Sequence, residues 1–133
     1  MAFARWFGII TGLQFALYGA YCVYDPQLVA KLTAMTASSK ALTELTAMYG
    51  GMEIGFGLFL IAMALKRQTL EACMLAIVLC CGGLCSTRGL SIVLHGGDDY
   101  NTPAVGYESL LFCLGLVGLL MVRKARSGVL ATA

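Results

Sequence analysis

Residues 45–65 read LTAMYGGMEIGFGLFLIAMAL, and they decide the fold. One charge, Glu53, interrupts an apolar run that is long enough, at ~1.5 Å per helical residue, to cross the ~30 Å hydrocarbon layer of a bilayer. Three more runs of that kind occupy residues 3–24, 70–94 and 105–122. Across its 133 residues the chain is 59% hydrophobic and 12% charged, whereas ordinary soluble domains are roughly 25% charged. A soluble core cannot hide so much apolar surface. The expected fold is all-α: an integral membrane bundle of four transmembrane helices, with residues 1–133 forming a single membrane domain.

The first run could be a cleaved signal, since it opens with Arg5 and an apolar stretch. Residues 16–20 contain Leu17 and Tyr18 instead of a clean set of small residues, and removal would leave three spans, so a retained helix is expected. Six basic residues, Arg5, Lys66, Arg67, Arg123, Lys124 and Arg126, fall on the side shared by both termini, against two, Lys31 and Lys40, on the other. By the positive-inside rule both termini are expected to be cytoplasmic, on a multi-pass membrane protein. The other face carries Asp25, Glu44, Asp98 and Asp99, so the net charge of +2 averages two unlike faces and implies no nucleic-acid partner.

The outer loop, residues 25–44, opens on the turn signal Asp25-Pro26. Leu28, Leu32 and Met35 then follow i, i+4, i+7, the spacing of a short interfacial helix, and Ser38-Ser39 offers a cap for the second span. Residues 66–68 make a short inner turn and residues 96–103 an outer one. The tail after Arg123 reads as frayed. Gly51 and Gly55 form a small-xxx-small pair that lets helices approach closely, either within the bundle or along a homodimer seam. The cysteines read as small apolar side chains; Cys81 and Cys85 are i, i+4, but no set of four ligands completes a metal site.

Polar residues inside the spans are the candidates for function. Glu53 lies seven residues in from Thr46, and Arg88 seven before His95, so each sits about 10 Å below the outer boundary. An isolated charge there costs several kcal/mol on any scale, and an ion pair between the two is the economical answer. Arg88, Ser91 and His95 share one face of the third span, and Tyr49 and Glu53 one face of the second. Gln14 and Tyr18 come from the first span, and Glu108 enters from the fourth, where a helix N-terminus also favours an acid. Together these eight residues would form a polar pocket in the outer half. A purely structural clip is the alternative for Glu53 with Arg88, as is a solvated capping role for His95. No nucleophile with an adjacent base is present, so neither catalysis nor a cofactor is expected.

The run Tyr49-Gly50-Gly51-Met52-Glu53-Ile54-Gly55-Phe56-Gly57, with the Asp25-Pro26 loop and Arg88-Gly89, resembles the bacterial family known as domain of unknown function 4345 over nearly the whole chain. The resemblance implies a four-helix inner-membrane protein, with the DoxX-like group as a wider relation, and no established activity. The expected function is therefore argued from the residues. It is binding of a lipid-like or amphipathic small molecule in the outer-half pocket, with membrane lipids around it. The alternatives are an accessory subunit docked on a larger membrane partner, and a small proton-coupled transporter. Against the last, Arg88 would keep Glu53 charged.

Overall fold

A computed structural model describes residues 1–32 and 36–130, with side chains to residue 127. The described residues form six α-helices: α1 (Ala2–Tyr24), α2 (Leu28–Leu32), α3 (Ser39–Leu45), α4 (Glu53–Leu65), α5 (Leu70–His95) and α6 (Asn101–Leu130). A π-helical segment, Thr46–Met52, joins α3 to α4, and a 3-10 turn, Arg67–Thr69, leads into α5. Four helical stretches, Ala2–Tyr24, Ser39–Leu65, Arg67–His95 and Asn101–Ser127, are long and apolar enough to cross a membrane. Large apolar side chains also cover the outside, Trp6 at 63%, Leu79 at 67% and Val93 at 82% exposure. A water-facing protein turns such residues inward, so the helices fit a multi-pass membrane protein.

Local chemistry sets the helix ends. Ser38 caps α3, its hydroxyl oxygen accepting from the Ala41 N–H at 3.3 Å. Leu28 and Leu32 lie in α2 as their spacing predicts, while Met35 is outside the described residues. Gly96, at φ 91°, terminates α5 in a left-handed conformation that glycine adopts without strain. Pro103 sits in the first turn of α6, where a missing N–H costs no helical bond. The tail differs from expectation: α6 continues past Arg123 to Leu130. There Ser127 donates to the Arg123 carbonyl at 3.1 Å and Arg126 bonds Glu71, so the last turns have partners.

The chain packs as two compact units. One comprises Met1–Gly8 and Met63–Ala133. In it α5 and α6 form an antiparallel hairpin whose small residues admit large neighbours. A methyl group placed on Gly118 would lie 2.6 Å from the Met74 sulfur, and one on Gly115 would lie 3.0 Å from Ile77. Leu70, Cys73, Met74, Ile77 and Cys81 of α5 are fully buried, with Leu111, Leu119 and Val122 of α6 nearly so. Ala4 is also buried, and Phe3 stacks on Phe7 at 5.7 Å. At one end of the hairpin Glu71 accepts from Arg123 at 2.9 Å and from Arg126 at 3.1 Å.

The other unit is Ile9–Ala62. Here α1 runs antiparallel to the π segment and α4, backbone against backbone. A methyl on Gly12 would meet the Gly57 carbonyl oxygen at 2.7 Å, and one on Gly19 would meet the Gly50 carbonyl oxygen at the same distance. Both pairs are spaced i, i+7, which returns each glycine to nearly the same helix face. Phe15 and Phe56 meet edge to face at 5.1 Å beside this seam, and Leu60 is fully buried. Within the chain the packing glycines differ from the expected pair. Among the described residues nothing lies within 4 Å of a methyl placed on the exposed Gly51 or Gly55, and it is Gly50 and Gly57, with Gly12 and Gly19, that bring these helices together.

Candidate functional site

The polar groups expected to converge divide between the two units. Arg88, Ser91, His95 and Glu108 belong to the hairpin unit, and Gln14, Tyr18, Tyr49 and Glu53 to the other. In the hairpin unit the turn Gly96-Gly97-Asp98-Asp99-Tyr100 reverses the chain. Asp98 holds its exit: one carboxylate oxygen accepts from the backbone N–H of Asn101 at 2.6 Å and of Tyr100 at 2.9 Å. These bonds, that from the Asn101 backbone first, hold the Asp98 carboxyl below the usual carboxylate range. The second oxygen accepts from the Asn101 side-chain amide at 2.6 Å. Asn101 in turn accepts from Arg88 Nη1 at 2.6 Å.

Arg88 reaches Glu108 with two nitrogens. Nε lies 3.0 Å from both carboxylate oxygens, and Nη2 lies 2.8 Å from Oε1, the forked geometry that makes arginine–carboxylate pairs strong. The Tyr100 ring lies under the guanidinium at 5.9 Å, within cation–π range. Glu108 is only 8% exposed, so its charge is compensated inside the protein. Two expectations bear on this pair. Arg88 makes an ion pair with Glu108, where one with Glu53 was expected. Glu108 is two turns into α6, beyond the turn where a helix dipole acts, and is held there by Arg88. The signal was in the sequence: Arg88 is seven residues before His95 and Glu108 seven after Asn101, equidistant from one turn.

Glu53 occupies a different setting. The paired glycines Gly50-Gly51 and a Thr46 hydroxyl that bonds back to the Leu42 carbonyl at 2.8 Å accompany the widened π turn. Alpha geometry resumes at Glu53, whose backbone N–H donates to the Gly50 carbonyl. Such single π turns recur at functional sites, because they redirect the side chains that follow. Glu53 packs on α1 where Gly19 leaves room: a methyl there would be 2.9 Å from the Glu53 Cβ. One turn along α1, Cys22 is 2% exposed, hydrogen-bonds Tyr18 side chain to side chain, and lies within electrostatic range of Glu53. The Glu53 Oε2 is buried and has no hydrogen-bond partner among the described residues.

The remaining expected residues are exposed: Gln14 on α1, Tyr49 in the π segment, and Ser91 and His95 on α5. Asn101, Asp98, Tyr100 and Cys22 were not expected and complete the two polar groupings. A family described as domain of unknown function (DUF4345) matches residues 3–119. Comparison with curated proteins and with solved structures finds no match.

Proposed function

The chain belongs to the DUF4345 family, and on that premise we propose a small multi-pass protein of a bacterial inner membrane that binds a lipid-like or amphipathic molecule, its polar head received at Glu53. Both termini and the Arg67–Thr69 turn are cytoplasmic in this reading, because Arg5, Lys66, Arg67, Arg123, Lys124 and Arg126 gather on that side. The observation that carries it is the buried Glu53 Oε2 without a donor. A buried acceptor left unsatisfied costs about 1–3 kcal/mol, and a charged group within a membrane segment is by default a functional one. A ligand that donates to this oxygen removes the cost. Tyr18, Tyr49 and Gln14 are its companions in the same unit, and Arg88 with Glu108 serves to hold the 96–100 turn.

Native mass spectrometry of detergent-released protein tests the reading. A discrete added mass is expected on the wild type and on Arg88→Met, and its loss on Glu53→Gln. Retention on Glu53→Gln, or an empty wild type, sinks it. One observation favours a second reading, an accessory subunit: Gly51 and Gly55 turn away from the rest of the chain with nothing within 4 Å, so a partner helix has room to close on them.

A further inference from the structure

We infer that the head group received at Glu53 is a protonated amine carrying at least one N–H, so that the ligand is a cationic amphipath of the alkylamine class; this rests on the binding reading above. The sign of the charge comes from a census of the unit that contains Glu53. Its charged residues besides Glu53 are Asp25, Lys31, Lys40 and Glu44. Lys31 is bound to Asp25 at 2.9 Å. Lys40 is exposed in the first turn of α3, thirteen residues before Glu53, roughly 20 Å along a helix. From α1, Cys22 lies within electrostatic range of Glu53 and is hydrogen-bonded to Tyr18. Among its described residues the unit therefore presents a half-buried carboxylate, one oxygen of which is fully buried, with no cation of the same unit beside it.

The kind of cation follows from the unsatisfied atom. Oε2 lacks a donor, and a protonated amine brings at least one N–H donor with its charge. A quaternary ammonium brings the charge and no donor, so it leaves that oxygen unbonded. A hydroxyl brings a donor and no charge. An anionic head brings neither and repels. For the tail, the same helical segment exposes Met48 and Met52 by 46% and 56%, with Tyr49 also exposed. Unbranched methionine side chains adapt to an alkyl chain of varied shape.

The test measures saturable binding of four single-chain probes, dodecylamine, dodecyltrimethylammonium, dodecanol and dodecyl sulfate, to the full chain in phosphatidylcholine nanodiscs. Dodecylamine is expected to bind at least tenfold more tightly than each of the other three, and Glu53→Gln to abolish that margin. Equal or tighter binding of dodecanol or dodecyl sulfate overturns the cation assignment while leaving a binding site. Equal binding of dodecyltrimethylammonium overturns the donor requirement. A margin that survives Glu53→Gln moves the site elsewhere and overturns the inference. Saturable binding of no probe overturns this inference and the binding reading together. If Glu53→Gln does not fold, the wild-type ranking of the four probes decides.

Discussion

Glu108 is held by two nitrogens of one arginine, and that single side chain fixes what Arg88 can do. Removing one partner of a mostly buried pair strands the other charge, whereas removing both leaves only a packing defect. Glu108→Ala is therefore expected to lose about 3 kcal/mol of stability, and Arg88→Met with Glu108→Leu to recover most of it. Thermal unfolding in detergent checks both, and additive losses would show that the two residues are not coupled. The positions of Arg88 and of Glu53 along their helices were legible in the sequence, because they follow from counting residues. The partner was not. Counting says nothing about the direction in which a side chain leaves its helix, and for Glu53 the π turn of Thr46–Met52 changes that direction outright. Asn101 escaped notice for a related reason: its side chain bridges Asp98 and Arg88 only once the turn has formed.

Between helices, the spacing of glycine is the information that matters. The four-residue pair Gly51 and Gly55 matches a familiar packing pattern, yet the seam uses the seven-residue pairs Gly12 with Gly19 and Gly50 with Gly57. Sequence alone could not choose between them, because both patterns overlap within nine residues and the π turn shifts one face against the other. The two sets should respond oppositely to a side chain. Gly12→Ala and Gly57→Ala push a methyl into opposing backbone and are expected to lose about 1–3 kcal/mol. Gly51→Ala and Gly55→Ala enter open space, where the better helix propensity of alanine is expected to add up to about 1 kcal/mol. Unfolding measurements on the four variants separate the cases; loss at Gly51 would mean that this face is already occupied, as the accessory-subunit reading requires.

Over the whole molecule, the all-α class and the four long apolar helices were plain from composition and from run length, since each run must bury or solvate its backbone as helix. The expected membrane orientation also rests on composition, through the six basic residues on one side. Reporter fusions at residue 1 and after residue 127 are expected to register the same cytoplasmic side, with a tag between Asp98 and Asp99 on the opposite one. Termini on different sides would exclude the four-crossing arrangement. The division into two compact units was not legible, because its boundaries fall inside apolar runs: the first seven residues of α1 group with one unit and the rest with the other.

The α5–α6 hairpin is pinned near each end, by Arg88 on Glu108 and by Arg123 and Arg126 on Glu71, with the acid on α6 in one case and on α5 in the other. A slide of one helical turn, about 5.4 Å, would break both pins together, so this hairpin resists shear along its length. The glycine seam of α1 has no such pin; smooth backbone meets smooth backbone, and small translations there cost only contacts that re-form. The two halves of the chain should thus keep different clocks: amides of α5 and α6 open together and rarely, and those flanking Gly19 and Gly50 open often and locally, at the very helix face on which Glu53 rests.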